Sequence, residues 1–268
     1  MSANENAGAA RRLEGKRALV TGANSGIGQS IALRLAREGA AVVINFKSRP
    51  EAADAVVRDI VAAGGRALAV QADVSDEQQV DAMFARAREE FGGLDILVNN
   101  AGFETHHPIL EMPADAWRKV IDVDLTGAFL CAQRAARLMV EQKTGGAIVN
   151  ISSVHNIIPW GGFAHYCSAK AGLDMLTKTM ALELATEGVR VNSVAPGAIQ
   201  TPINENVWGD PAMLKDLLRK IPTERMGQTE EVAACVAFLS SSEASYVTGA
   251  ILYVDGGMTL YPEFRHGG

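Results

Sequence analysis

The stretch that decides the fold is Arg17–Gly28, RALVTGANSGIG. Its first part, Arg17–Thr21, is a short apolar, β-branched run of the kind that forms a buried strand. From Ile27 to Glu38 the pattern turns helical, with Ile31 and Leu35 on one face. Between the two lie glycines at 22, 26 and 28. Glycine allows a tight turn and lets an anionic group approach the backbone, while the amides at the start of the next helix carry partial positive charge. Ordinary strand-to-helix turns use glycine too. What points to a phosphate is the position between a strand and a helix, although the first gap is wider than in G-x-G-x-x-G.

Working outward, the same alternation repeats. Strand patterns cover Ala41–Phe46, Ala67–Gln71, Leu94–Val98, Gly146–Ile151, Val189–Val194 and Ala250–Val254. Helical patterns cover Pro50–Ala63, Asp76–Phe91 (with Ser75 as expected N-cap), Ala114–Gln142 as one long bent helix, Tyr166–Glu187 and Thr229–Ser240. Gln200–Ile221 reads as an irregular, partly helical excursion. Near-continuous apolar strands separated by helices predict a doubly wound parallel α/β sheet with helices on both faces. There is no internal repeat and no linker, so one domain is expected over residues 13–268, after a disordered tail at 1–12.

Composition narrows the function classes. The chain has 268 residues, 48% hydrophobic and 21% charged, with net charge −6, so general attraction to nucleic acid or an anionic membrane is not expected. No apolar run approaches the ~20 residues of a membrane span. Cys131, Cys167 and Cys235 are scattered, with no CxxC pair and no metal-ligand spacing, as expected of reduced thiols in a cytoplasmic protein. His106-His107 reads as an exposed loop pair, and no metal site is expected.

In a doubly wound sheet the end of the second strand meets the adenosine ribose of a bound dinucleotide. An acid there would hold the free hydroxyls of NAD; this chain has Asn45-Phe46-Lys47-Ser48-Arg49 instead. Lys47 and Arg49 can pair with a 2′-phosphate, which favours NADP with NAD also accepted. Two solvated basic side chains are the alternative.

These pieces in order resemble the short-chain dehydrogenase/reductase family over nearly the whole chain from about Leu13. The family's Thr-Gly-x-x-x-Gly-x-Gly is Thr21–Gly28, its Asn-Asn-Ala-Gly is Asn99–Gly102, and its Tyr-x-x-x-Lys is Tyr166–Lys170. A serine, Ser153, stands thirteen positions before the tyrosine, and Pro196-Gly197 precedes Thr201. The resemblance implies a Rossmann-like sheet of seven strands in the order 3-2-1-4-5-6-7. It also implies cofactor contacts from Gly22, Asn24, Ser25, Gly26, Ile27, Gly28, Phe46, Lys47 and Ser48, and from Asp73 and Val74 beside the adenine. Asn99, Asn100, Ala101 and Gly102 would line the nucleotide path, and Pro196, Gly197, Ile199 and Thr201 the nicotinamide end.

The same resemblance assigns chemistry. Alcohol oxidation removes a hydride and a proton, and Tyr166 would take the proton. A tyrosine is a poor base at neutral pH. Lys170 lies one helical turn on, where its charge would favour the phenolate and its ammonium could also reach the nicotinamide ribose. Ser153 would orient the substrate hydroxyl. Where the family has an asparagine, alignment on Leu125-Thr126-Gly127 puts Asp124. Aspartate keeps an acceptor but loses the amide donor and adds a charge near Lys170. Either Asp124 supports the same proton relay with an altered pH optimum, or it weakens catalysis.

Within the family, Ser152–His155, Ile158–Trp160, Gly197–Asn204, Ser241–Gly249 and Asp255–Phe264 are similar to bacterial glucose 1-dehydrogenases. That similarity implies a sugar substrate, β-D-glucose or a related aldose oxidised at C1 to the lactone, and a homotetramer. It points to Glu104, Ser153, His155 and Asn204 as sugar contacts. Glu104 reads equally as a loop acid and His155 as a structural histidine; Trp160 reads as a pocket wall. Tyr261–Phe264 fits either packing on a neighbouring subunit or folding onto its own chain. Reduction of another carbonyl, a 3-oxoacyl thioester or ketone, and a non-catalytic nucleotide sensor on the same fold are the alternatives.

Overall fold

Strands β1 (Arg17–Val20), β2 (Ala41–Phe46), β3 (Arg66–Gln71), β4 (Ile96–Asn99), β5 (Gly146–Ile151), β6 (Val189–Pro196) and β7 (Ile251–Val254) form one sheet in the order β3-β2-β1-β4-β5-β6-β7. Every pairing is parallel, as the alternating pattern predicts. The computed structural model describes residues 11–260. Residues 1–10 of the expected tail and the Tyr261–Phe264 segment lie outside the described residues.

Successive strand residues feed opposite faces of the sheet. Ala18 and Val20 pack with Val42 and Ile44 against Ile31, Leu35, Val56, Ile60, Val232 and Val236. Those residues belong to α1 (Gly26–Arg37), α2 (Pro50–Ala62) and α9 (Thr229–Ser240). Leu19, Val43, Leu97 and Ile148 point the other way, onto Val80, Met83, Cys131, Ala135, Met139 and Ala181. These come from α3 (Glu77–Phe91), α5 (Ala128–Gln142) and α6 (Ala164–Leu184). A strand buried on both faces favours apolar residues at nearly every position, which is why β1, β2 and β4 read as near-continuous runs.

Two expectations change. Asp76, not Ser75, caps α3: its carboxylate accepts from the Gln78 and Gln79 amides, while the Ser75 hydroxyl donates to Asp73. The acid complements the helix N-terminus better than a hydroxyl does. The long middle helix is not uniform either. It runs as α4 (Ala114–Ile121), a π-helical segment at Asp122–Gly127, then α5. One extra residue per turn there re-aims Asp124 into the interior, where it is buried. The excursion resolves into short helices α7 (Glu205–Trp208) and α8 (Pro211–Leu218).

The strand order reverses between β1 and β4. A crevice therefore opens beyond their C-terminal ends, where the glycine turn, Asn99–Gly102 and the loop after β5 converge.

Candidate active site

The glycine turn is shaped by its neighbours. Asn45, buried at the end of β2, accepts from the Gly22 amide, and Asn100 donates to the Thr21 and Gly22 carbonyls. The Thr21 hydroxyl accepts from the amides of Asn100 and Ala101, locking β1 to β4. Gly22 adopts φ 61°. A β-carbon on Gly28 would lie 2.3 Å from the Gly22 carbonyl oxygen and 2.4 Å from the Asn100 amide nitrogen, so only glycine fits. Ser25 precedes α1 without a side-chain cap, which leaves the first-turn amides of Gly26, Ile27 and Gly28 facing the crevice. Thr201, from the loop after β6, comes to 3.8 Å from the β-carbon position of Gly26 and closes that side. Backbone donors and a closing loop fit a dinucleotide.

Around this turn the structure places most of the other expected cofactor residues. Phe46 is buried at the end of β2. Asn24 donates to the Ser48 carbonyl, and Arg49 donates to the Ser25 hydroxyl, so the basic loop stands over the glycine turn. Lys47 is not a free cation: its ammonium pairs with Asp73 at 2.6 Å. Asp73 is held below its usual carboxylate range; burial raises it, but Lys47 and Ser75 outweigh that. Val74 is buried against Gly127. Pro196 ends β6, Gly197 packs against Asp255 and Met258, and Ile199 is buried. Asn99 donates to Asn150 and to the Ala128 carbonyl, bracing the strand ends.

The second half of the crevice is made by β5 and α6. Ser153 follows β5, and its hydroxyl accepts from the His155 amide in a short 3-10 turn at Val154–Asn156. It also lies near enough to the Tyr166 hydroxyl to favour its ionisation. Ser152 instead donates to the Lys170 carbonyl. Tyr166 and Lys170 stand on one face of α6, with the ammonium 5.4 Å from the phenol ring centre. Lys170 is only 4% exposed; it donates to the Ile151 carbonyl at 3.1 Å and pairs with Asp124 at 3.2 Å. Asp124 is 1% exposed and takes the Phe103 amide on its other oxygen. Gly102 lines this pair: a β-carbon there would sit 2.6 Å from the Asp124 carboxylate.

The electrostatics follow from burial. Desolvation alone would lower Lys170, but Asp124 and Tyr166 hold it above the usual lysine value, fully charged. Desolvation pushes Asp124 up, against the pull of Lys170 and the Phe103 amide. Tyr166 is pushed up by desolvation, and the nearby Asp124 and Glu104 charges add to the rise; Lys170 and Ser153 act to lower it. The expected lowering by Lys170 is present but outweighed in the ligand-free chain. Asp124 neutralises part of the lysine charge, which an asparagine would not do.

Glu104 lies in the same field, raised by desolvation and by Asp124. The wall beside Tyr166 is aromatic. His155 stacks on Trp160 at 4.4 Å, and Trp160 stacks on Phe163 at 3.7 Å. The Nδ1 of His155 is engaged with the Ile158 carbonyl. Asn204, expected as a sugar contact, also has a local role. It caps its own turn, accepting from the Thr201 amide and hydroxyl and donating to the Ile199 carbonyl, so its side chain braces the loop. Sequence reading missed His165. It is fully buried, with Nδ1 accepting from the Tyr166 amide and its other ring nitrogen 3.0 Å from the Thr105 hydroxyl.

A family model described as enoyl-(acyl carrier protein) reductase matches residues 22–259. The chain is 51% identical to 3beta-hydroxysteroid dehydrogenase 1 of Eggerthella lenta, across 95% of this chain and 98% of that protein. It is 47% identical to glucose 1-dehydrogenase 2 of Bacillus subtilis, across 93% and 97%. The chain belongs to the short-chain dehydrogenase/reductase family. Among solved structures of this family, a gluconate 5-dehydrogenase from Burkholderia cenocepacia J2315, in complex with NADP and tartrate, is similar at TM-score 0.88 and 37% identity, over 93% of this chain and 97% of that one. The protein is thus an NAD(P)-dependent oxidoreductase acting on a small molecule. No helix among the described residues is long and apolar enough to cross a membrane.

Proposed function

We propose that the protein oxidises β-D-glucose, or a similar aldose, at C1 to the lactone, with NADP as its preferred acceptor. Glu104 carries the choice of a sugar. It is a half-buried carboxylate in the field of Tyr166, Lys170 and Asp124, and hydroxyls of a polyol would satisfy it where an apolar molecule would leave it unpaired. The 47% identity to a glucose 1-dehydrogenase supports the same choice.

In this mechanism Ser153 and Tyr166, which lie close to each other, receive the reacting hydroxyl between them. Tyr166 takes the hydroxyl proton. The nicotinamide, when bound, accepts the hydride. Ser153 donates to the oxygen as it becomes a carbonyl. Lys170 stabilises the phenolate, and the carbonyl of Ile151 and the carboxylate of Asp124 fix the lysine in place. Backbone amides at the start of α1 hold the pyrophosphate. Arg49, anchored on Ser25, and Lys47, released from Asp73, take the 2′-phosphate. Assembly as a homotetramer belongs to the same proposal, and exposed Phe129, Met175 and Leu182 on α5 and α6 support it.

A second reading is favoured by the His155–Trp160–Phe163 wall and by the 51% identity to a hydroxysteroid dehydrogenase: oxidation of a secondary alcohol on an apolar ring system. Initial rates separate the two. Glucose and a 3β-hydroxysteroid are offered with NADP and with NAD, and an acetoacetyl thioester with NADPH. The expected result is turnover of glucose, faster with NADP than NAD, with Arg49→Ala raising the KM for NADP about tenfold and that for NAD little, as loss of a charge-assisted phosphate contact predicts. Steroid turnover without glucose turnover establishes the second reading. Thioester reduction alone would overturn both.

A further inference from the structure

Asp174 lies one turn beyond Lys170 on α6 and is 5% exposed, yet the chemistry above does not use it. Tyr166, Lys170 and Asp174 recur at intervals of four, so they share one helix face. One carboxylate oxygen of Asp174 accepts from the Ser193 hydroxyl of β6 at 2.7 Å. The other accepts from the Asn156 amide. Asn156 is the last residue of the turn that begins at Ser153, and its own amide donates to the Ser153 carbonyl. Its side chain also meets the Tyr253 hydroxyl of β7 at 3.0 Å. The turn that carries Ser153 is therefore tied to the helix that carries Tyr166 by a part-buried side-chain contact.

A buried carboxylate is costly unless every oxygen is satisfied, so this contact has a preferred geometry that a neutral pair would lack. We propose that Asn156 and Asp174 are positioning residues, which set the separation of Ser153 and Tyr166 by clamping the 3-10 turn onto α6. The clamp rests on the roles assigned above to Ser153 and Tyr166, and does not depend on which alcohol is the substrate. A carboxylate cannot donate, so the Asn156 nitrogen must face Asp174. Replacing Asn156 by aspartate puts two acceptors against each other and forces the turn away. Adding Asp174→Asn restores a donor to the contact with its direction reversed. Asp174→Asn alone is mild, because the Asn156 amide can turn over and present its oxygen.

The test compares kcat and KM of wild type, N156D, D174N and the double variant. Glucose with NADP is the probe, or the substrate that is turned over fastest among those offered above. N156D is expected to lower kcat about ten- to a hundredfold, the scale of a misplacement near 1 Å, with the KM for NADP unchanged. D174N stays within about threefold of wild type and the double variant returns to that range; reciprocal rescue of this kind reports direct coupling. Crystal structures of N156D and the double variant read the Ser153–Tyr166 separation directly, lengthened in the first and restored in the second. Asn156→Ala, which removes the clamp without adding charge, replaces N156D if the latter does not fold. A kcat for N156D within twofold of wild type, or a double variant no better than N156D, overturns the proposal. Full activity of Tyr166→Phe would instead remove the site assignment on which the clamp depends, so the two failures are distinct.

Discussion

Tyr166→Phe is expected to lower kcat about a thousandfold, within the range that a positioned acid–base contributes, while the KM for NADP stays within about threefold of wild type. The substitution removes one oxygen and keeps the ring. The ring packs beside His155 and Trp160, with centre separations of 6.4 and 6.3 Å, and those contacts survive. The hydroxyl is what meets Ser153, and Ser153 retains the His155 amide when it is gone. The glycine turn and Thr201 lie at the other side of the crevice and are untouched. A kcat loss without a change in cofactor KM separates proton transfer from binding. Steady-state rates over a range of glucose and NADP concentrations check it; a loss below tenfold would take the proton-transfer role from Tyr166.

The second large effect concerns the buried ion pair. Lys170→Met is expected to abolish measurable turnover and to cost about 3 kcal/mol of stability, because Asp124 is left buried with only the Phe103 amide to hold it. Two unit charges 3.2 Å apart attract by about 5 kcal/mol at an effective dielectric of 20, and protonation of the abandoned carboxyl returns part of that. Adding Asp124→Asn to Lys170→Met should recover most of the stability and none of the activity. Denaturant unfolding and initial rates, measured on the same samples, check both halves. Asp124→Asn alone carries the pH consequence. The Asp124 charge raises Tyr166. Removing it lowers the phenol, so the phenolate forms at lower pH and the rise of the oxidation rate with pH moves to lower pH. An unmoved profile would show that Asp124 does not act on Tyr166.

The fold was legible because both periods were clean. RALV and AVVINF are apolar apart from Arg17 and Asn45, as a sheet covered on two faces favours, and the glycine turn marks where the first helix begins. The boundaries of β2, β5 and α9 agree with the patterns, and the strand order follows the family resemblance. The π-helical segment was not legible: six residues are too few to separate its period from 3.6, and the signal that existed was two acids, Asp122 and Asp124, interleaved with Val123 and Leu125. Lys47 and Asp73 lie at the ends of adjacent strands, so no local spacing announces their pairing. The Thr201 cap that Asn204 completes was not legible either, because its sequence context says nothing of it. Asn156 and Asp174 meet across eighteen residues through the return of α6 over β5 and β6, a contact that only the topology creates.

The proposed catalytic triplet stands differently. Ser153, Tyr166 and Lys170 are spaced so that any strand–turn–helix with these bounds brings them together, and the structure does so. What the spacing did not convey is the net charge around them. Two acids, Asp124 and Glu104, surround one lysine, and the tyrosine rises instead of falling before a cofactor is bound.

Glucose deuterated at C1, incubated with the protein and NADP, tests the central claim most directly. Mass spectrometry of the nicotinamide product should show one deuterium transferred per lactone formed, with none acquired from deuterated solvent. Reduced nicotinamide without the label, or glucose left unoxidised while another alcohol on the same panel is consumed, would contradict it.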